Sequence, residues 1–465
     1  MLNKLFLVLL GLSVVVAEDH SEHFEDSLSS PHEVTEMCLE CHEEAGDSFL
    51  HSKHWTWIGT EEVPGHDEEV AFGKKNALNN FCIGLKSNYA RCTSCHAGYG
   101  WKDNSFDFSD ALNIDCLVCH DGTGMYKKNS KGAGMPKEDV DLLSIAQNVA
   151  LPSRENCGAC HFYGGGGNNV KHGDLEKALV NPSRELDVHM SADGEDFSCT
   201  ECHETDDHDI SGNALSTSTH GGTLSCENCH DEDPHTNYKK YLDGHSKTVA
   251  CQTCHIPEFA RANPTKLEWD WSQAGDKTKG VKGVVKSSLD DGTKVMTYHF
   301  KKGAFVWGKN VVPTYAWYGG TSERMILGDN IDFDSMNQIT APIGDINDEN
   351  SKIFPFKIHK GKQIADKENS YLLPVHLFGK GGYWKTFDWD KSVITGAKNA
   401  GIDYSGKYTW AETEMYWKIN HMVAPKEDAL GCGDCHSKKH KTRFNWKALG
   451  YEGDPRYNKV SRFDN

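Results

Sequence analysis

The sequence has few apolar residues for its length. Hydrophobic residues make up 37% of the 465 positions, which is low for the two or three domains that such a length suggests. After the first 17 residues no apolar run is long enough to span a bilayer, and basic residues are not in excess, since the formal net charge is −19. We therefore expect no conventional aliphatic core, no stable membrane span and no nucleic-acid partner.

Cysteines outside one repeated motif are also nearly absent. Of the 17 cysteines, 16 belong to eight copies of Cys-x-x-Cys-His, and Cys82 is the exception. In this motif the two thiols bond the vinyl groups of a haem and the histidine ligates the iron. A zinc knuckle or a redox dithiol explains one Cys-x-x-Cys, but neither explains a histidine that follows directly eight times. The sequence therefore predicts eight covalently attached haem c groups.

The predicted attachment cysteines and proximal histidine ligands are Cys38, Cys41 and His42; Cys92, Cys95 and His96; Cys116, Cys119 and His120; Cys157, Cys160 and His161; Cys199, Cys202 and His203; Cys226, Cys229 and His230; Cys251, Cys254 and His255; and Cys432, Cys435 and His436.

The N-terminal stretch has the pattern of an export signal. Residues 1–17 combine a positive charge at Lys4, an apolar run and small residues at the end, which is typical of a secretory signal peptide. Export agrees with haem attachment outside the cytoplasm, so we expect a periplasmic protein. The acidic, serine-rich residues 18–36 predict a disordered lead-in. The histidines predicted to be solvated there are His20, His23 and His32.

The motif spacing divides the rest of the chain. Residues 37–255 carry seven motifs, residues 256–431 are haem-free and aromatic-rich, and residues 432–465 hold the eighth motif and a basic tail. We predict a mainly α fold with extensive loops, organised around eight haems as a multihaem cytochrome c, with minor β-ribbon content in the C-terminal half. Long helices are expected in the haem-free region, one of them over Thr409–Met422 and presenting His421 to a haem.

Each low-spin haem needs a second axial ligand, and further histidines are the natural candidates. For any one of them the alternative is an ordinary surface or hydrogen-bonded histidine. His359 and His376 are reserve candidates, for which the hydrogen-bonded alternative is the simpler interpretation. The predicted distal ligands are His54, His189, His208, His220, His235, His245 and His421.

A glycine-rich loop follows the fourth motif. Gly164–Gly167 precede Asn168 and Lys171, and glycines permit the backbone to approach a flat cofactor closely. A lysine amine ligates iron only when it is deprotonated, and a desolvated pocket lowers the pKa of a lysine. From the residues alone, a flexible surface loop with a solvated lysine is the simpler interpretation.

The combination HWTW, GKKN, NNFC, SNYARCTSCHAGYGW, CLVCHD, CGACHFYGGGGN-x-VKHGD and GCGDCH resembles the octahaem tetrathionate reductase family, from about His51 to His440. That family is related to pentahaem cytochrome c nitrite reductase and octahaem hydroxylamine oxidoreductase. The resemblance implies seven haems with two histidine ligands each and one active-site haem, the second along the chain. For that haem it implies His96 as the proximal ligand, Lys171 as the distal ligand and Cys82 close by. The Cys-x-x-Cys-Lys motif of pentahaem nitrite reductases is absent.

The resemblance therefore favours a reductase for tetrathionate, and for nitrite and hydroxylamine, over a hydroxylamine oxidase. The alternative is a non-catalytic electron conduit. Cys82 is either a thiol that attacks a polythionate sulfur or a small buried residue. Asn79 and Asn168 are further catalytic candidates, with turn or cap roles as the alternative. Expected partners are a small inorganic anion or nitrogen oxide and a periplasmic or quinol-linked redox protein as donor; calcium binding is left open.

Overall fold

The computed structural model describes residues 20–25, 27–66, 69–81, 84–212, 224–235, 240–458 and 462. The predicted signal peptide at residues 1–17, Cys82 and the predicted ligand His220 lie outside these described residues. Within them, no helix combines the length and the apolar character needed to cross a membrane.

The helices of the described residues are short, and most lie in the N-terminal half. In chain order they are α1 Pro31–Cys41, α2 Glu43–His51, α3 Lys53–Thr56, α4 Tyr89–Cys92, α5 Leu117–His120, α6 Leu142–Gln147, α7 Arg154–His161, α8 Lys240–His245, α9 Cys251–His255, α10 Tyr383–Thr386, α11 Trp389–Ala400, α12 Cys432–Cys435 and α13 Pro455–Asn458.

The strands concentrate in the C-terminal half. In chain order they are β1 Gly59–Glu62, β2 Glu69–Phe72, β3 Thr205–Asp206, β4 Asp209–Ile210, β5 Thr265–Asp270, β6 Val284–Ser288, β7 Lys294–His299, β8 Gly303–Gly308, β9 Thr314–Tyr318, β10 Ser322–Arg324, β11 Asn337–Pro342, β12 Lys352–Asp366, β13 Tyr371–Leu372 and β14 Tyr408–Lys418.

Ten of these strands form one mixed sheet, in the order β10-β11-β14-β12-β5-β8-β7-β6, with β9 and β13 also paired to β12. Strand β12 is the centre of the sheet. It runs antiparallel to β14 from Phe356 opposite Lys418 to Asp366 opposite Tyr408, and parallel to β5 on its other side. Almost every residue of β12 is buried or partly buried, as expected for a strand covered on both faces. The predicted β structure in the C-terminal half is thus present, and it is a sheet larger than a ribbon.

The helix predicted over Thr409–Met422 is wrong. Residues 408–418 form β14, in which Ala411, Thr413, Met415 and Trp417 alternate into the interior with the period of two that a strand requires. The helical spacing that starts at Met415 is coincidental, because aromatic and β-branched residues dominate the segment and eleven residues pair with β12. The long helices predicted for residues 256–431 are likewise replaced by the sheet, since the longest helix there, α11, has 12 residues.

The lead-in predicted to be disordered is folded over its described residues. Helix α1 already starts at Pro31, where the Ser30 side chain accepts a hydrogen bond from the backbone N–H of Glu33. Phe24 and Val34 are buried against Leu117 and its neighbours. This stretch is acidic, but its few apolar residues make enough contacts to fold it.

Candidate functional site

The eight Cys-x-x-Cys-His motifs lie mostly in single helical turns. A turn of helix brings residues i, i+3 and i+4 to one side, so both thiols and the histidine can face the same group. Helices α5, α7 and α9 each end at such a histidine. All 16 motif cysteines line one continuous cavity of about 4770 Å³. That is about 600 Å³ for each motif, the size of a pocket for a single organic ligand.

Six pairs of imidazole rings face each other across this cavity. An iron bound about 2 Å from a nitrogen on each side separates the two ring centroids by roughly 6 Å. The observed separations run from 6.1 to 6.4 Å, so the residues fit a haem iron held between two histidines. The pairs are His20 with His42, His54 with His161, His189 with His230, His203 with His421, His235 with His255, and His245 with His436.

His120, the histidine of the third motif, lies near His208, which was predicted as a distal ligand. Both rings line the cavity, and His120 contributes to lowering the pKa of His208, whose main cause is burial. The prediction that His20 is solvated is wrong, because its ring faces that of His42. Sequence reasoning missed His20 because its partnership depends on how the chain folds back, and no spacing indicates it. His220, predicted as a distal ligand, lies outside the described residues.

Cysteines of different motifs also contact one another. Cys38 lies next to Cys116, Cys160 next to Cys95, Cys157 next to Cys199 and Cys226 next to Cys251. Cys119 is also close to Cys157, Cys202 to Cys229, and Cys254 to Cys435. These contacts order the motifs as one, three, four, five, six, seven and eight, with the second motif attached beside the fourth.

The glycine-rich loop is built around Lys171. A side chain at Gly164 would lie 2.8 Å from the Lys171 Cδ, and one at Gly165, whose φ is +75°, would lie 3.0 Å from Phe81. The glycines therefore make space for the Lys171 side chain, and the loop is not the flexible surface loop that was the simpler interpretation of the sequence. The Lys171 Nζ lies 4.8 Å from the centroid of the Trp417 ring. Burial lowers the pKa of Lys171 to about 7, with a further contribution from the Lys74 cation.

The walls around Lys171 combine cationic and aromatic groups. Lys74, Asn79, Phe81 and Trp417 line the same cavity as the Cys92 and Cys95 thiols. The Lys74 Nζ stands 3.7 Å from the centroid of the Trp57 ring, a cation–π contact that fixes its position. The pocket therefore presents a cation and a readily deprotonated amine beside the second motif.

His96 is placed differently from the seven other motif histidines, all of which line the cavity. Its ring is fully buried in an aromatic cluster, with centroids 5.0 Å from Trp55 and 4.9 Å from Trp101. Its Nε2 is 2.7 Å from the Trp55 carbonyl oxygen, to which it donates, and its Nδ1 has no partner. Burial lowers the pKa of His96 to about 3. The ring is thus neutral and turned toward Trp55, not toward Lys171.

The other catalytic candidates have distinct surroundings. Asn79 lines the cavity, and its Oδ1 accepts a hydrogen bond from the Phe81 backbone N–H at 3.0 Å. Asn168 is not among the residues that line the cavity, and its Oδ1 accepts a hydrogen bond from the Lys177 backbone N–H at 2.8 Å, which agrees with the cap role given as its alternative. Cys82 lies outside the described residues, directly after Phe81.

The two reserve histidines are hydrogen-bonded and stand outside the facing pairs described above. The His359 Nδ1 is 2.7 Å from the Asn80 Oδ1, and its ring stacks on Phe81 at a centroid distance of 4.1 Å. The His376 Nδ1 is 2.7 Å from the Ser87 carbonyl oxygen. Both are therefore structural in this geometry, and His359 supports the segment that carries Asn79.

The cavity, the paired histidines and the motifs define a multihaem c-type cytochrome with covalently bound haem c, and comparison with known proteins agrees. The family model described as bacterial cytochrome c matches residues 266–439, and that described as cytochrome c554 and c-prime matches residues 37–121. An uncharacterised protein of Archaeoglobus fulgidus is 26% identical over 253 residues, which are 44% of this chain and 84% of that protein.

The crystal structure of octahaem cytochrome c from Shewanella oneidensis is 50% identical, with a TM-score of 0.88 over 96% of this chain and 99% of that chain. The chain therefore belongs to the octahaem tetrathionate reductase family of multihaem c-type cytochromes. The predicted fold class is confirmed with it, and the protein is a multihaem redox protein, either an enzyme or an electron carrier.

Proposed function

We propose that the protein is a periplasmic octahaem reductase with one haem at each motif. Its substrate binds at the haem of Cys92 and Cys95, and seven haems held by paired histidines carry the electrons. The single observation that carries this proposal is Lys171: its amine lies deep in the cavity beside the second motif, with a pKa lowered to about 7 by burial. Among the described residues, the second motif is also the one whose histidine does not line the cavity.

The residues of the pocket have different roles in the proposed reduction. A neutral Lys171 amine can ligate iron and can be displaced by a substrate, while the Lys74 cation attracts an anion. Haem supplies single electrons to a substrate bound at its iron. Proximal ligation by His96 requires its ring to turn from the Trp55 carbonyl toward the cavity. Cys82 and Asn79 are proposed as pocket residues on the segment next to Phe81.

Three substrates are proposed, of which tetrathionate and nitrite are anions that the Lys74 cation would attract. Tetrathionate takes two electrons, and its central sulfur–sulfur bond breaks to give two thiosulfates. Hydroxylamine takes two electrons and three protons to give ammonium and water, and nitrite takes six electrons and eight protons to give ammonium and two waters. A periplasmic or quinol-linked redox protein is the proposed source of the electrons.

The test is anaerobic reoxidation of the fully reduced protein, followed by haem absorbance, with each substrate added separately to the wild type and to Lys171→Ala. We expect fast reoxidation by at least one substrate and a changed rate and ferric spectrum in the variant. The control is Lys177→Ala, which removes an exposed lysine close by and should keep the wild-type reoxidation rate and ferric spectrum. Reoxidation no faster than with buffer, together with an unchanged spectrum in Lys171→Ala, contradicts the proposal.

That outcome would favour a non-catalytic electron conduit as the function. The observation in its favour is the succession of neighbouring cysteines from the first motif to the eighth, which suits electron transfer across the molecule. A conduit would exchange electrons with redox proteins at both ends and with none of the three substrates.

A further inference from the structure

One face of the central strand β12 supports both sides of the Lys171 pocket. Lys357, His359, Gly361 and Gln363 alternate along the strand and therefore point to the same side. Lys357, His359 and Gln363 are fully buried, which is unusual for three polar side chains among four successive positions of one strand face. Such groups need partners, and their partners lie on the two segments that form the pocket.

Lys357 holds the backbone that carries Lys171. Its Nζ donates to the Val170 carbonyl oxygen at 2.9 Å, to the Lys171 carbonyl oxygen at 2.8 Å and to the Thr265 Oγ1 at 2.6 Å. The Thr265 hydroxyl in turn donates to the Asn169 carbonyl oxygen at 2.6 Å. Three consecutive carbonyls ending at Lys171 are thus held by one amine and one hydroxyl.

The chain is shaped to admit this lysine. Gly173 has a φ of +94°, and a side chain there would lie 2.8 Å from Phe259 and 3.1 Å from the Lys357 Cδ. The loop can therefore cross the Lys357 stem only with glycine at this position. The contact of Lys357 with the loop is consequently part of the local fold rather than a chance approach of a long side chain.

The same face of β12 also holds the segment Asn79–Phe81, which forms the other wall of the pocket. The Asn80 Nδ2 donates to the His359 carbonyl oxygen, and the His359 ring stacks on Phe81. The Gln363 Nε2 donates to the Asn79 carbonyl oxygen at 2.9 Å. The loop that carries Lys171 and the segment Asn79–Phe81 are therefore both attached to β12. The spacing of residues along β12 sets the distance between them.

We propose that Lys357 is a positioning residue that fixes the Lys171 amine relative to the Asn79–Phe81 wall. It acts through the Val170 and Lys171 carbonyls and does not touch substrate or haem. The inference rests on the proposed function, since it assigns Lys357 to the support of Lys171 as an iron ligand. Loss of the Nζ releases three acceptors in the interior, and the loop must then shift to find new donors.

The experiment compares Lys357→Met with Lys360→Met in the complete, haem-loaded protein. Lys360 lies on the same strand with its side chain exposed on the opposite face, so it receives the same chemical change without the contacts. We expect Lys357→Met to change the ferric signal of one haem, seen by electron paramagnetic resonance. We also expect it to lower kcat/KM by about ten- to hundredfold, as for other residues that orient a metal ligand. Lys360→Met should keep both values.

The outcomes separate this inference from the proposed function. If Lys171→Ala alters the single-haem signal and Lys357→Met does not, the positioning role is wrong and the proposed function stands. If Lys171→Ala leaves the signal unchanged, the proposed function itself fails. Should Lys357→Met not fold, Thr265→Val removes the hydroxyl between Lys357 and the Asn169 carbonyl. An unaltered signal in that variant contradicts the proposal equally.

Discussion

Removal of the haem attachment at Cys157 and Cys160 is expected to disconnect the Lys171 pocket from all other haem motifs. Cys160 of the fourth motif lies next to Cys95 of the second, and Cys157 lies next to Cys199 of the fifth. Cys119 of the third motif is also close to Cys157. Among the described residues, the second motif meets the other motifs through Cys160, so the fourth motif is the junction.

The measurement is substrate-driven reoxidation of the fully reduced Cys157→Ala/Cys160→Ala double variant. We expect the fast phase to shrink to the amplitude of a single haem, because electrons stored on the remaining haems no longer reach the pocket. The matched control is Cys432→Ala/Cys435→Ala, which removes the attachment at the far end of the succession, next to Cys254. That variant should lose the amplitude of one haem and keep a fast phase for the rest.

A fast phase of full amplitude in the junction variant would show that electrons reach the pocket by another path. His161→Met offers a milder version of the same test, since it leaves both cysteines in place. His161 faces His54 at 6.1 Å, so this change replaces one of two axial ligands. We expect it to slow the fast phase without changing its amplitude.

Features that depend on residues adjacent in the sequence were predicted best. A Cys-x-x-Cys-His motif is complete within five positions, so its chemistry can be predicted without the fold. Distal ligands depend on how distant segments meet, and His20 and His421 illustrate this. His20 lies before the first motif and looked solvated, yet its ring faces His42; His421 lies far beyond the fifth motif and faces His203.

The sheet was harder to predict for a related reason. The apolar spacing of Met415, Ile419 and Met422 fits a helix, and all three are fully buried, but pairing with β12 decides that residues 408–418 are a strand. Lys357 was missed because a lysine in an exposed strand position and one aimed into the interior look alike in sequence. The partners that reveal its role come from Val170, Lys171 and Thr265.

The largest effect on stability is expected from Asp174→Ala. Asp174 is 1% exposed, and its Oδ2 accepts hydrogen bonds from the backbone N–H groups of Asn420 and His421, at 2.8 and 3.0 Å. The same oxygen lies 3.1 Å from the His421 Nδ1. Removal of the carboxylate leaves three donors without this acceptor, so we expect the free energy of unfolding to fall by roughly 3–5 kcal/mol.

The same substitution should also be visible at a haem. A carboxylate that binds the second nitrogen of an imidazole fixes the orientation of the ring and makes it a stronger ligand. Without Asp174, His421 loses that constraint opposite His203, so the absorbance or the reduction potential of one haem should change together with the stability.

Denaturant unfolding followed by circular dichroism and by haem absorbance measures both effects. Asp196→Ala is the control, because the Asp196 side chain is 68% exposed and its ion pair with Arg154 is expected to contribute less than about 1 kcal/mol. Equal losses in the two variants would contradict the role of Asp174 as a buried anchor of His421. A large loss of stability with an unchanged haem spectrum would confine that role to the backbone of Asn420 and His421.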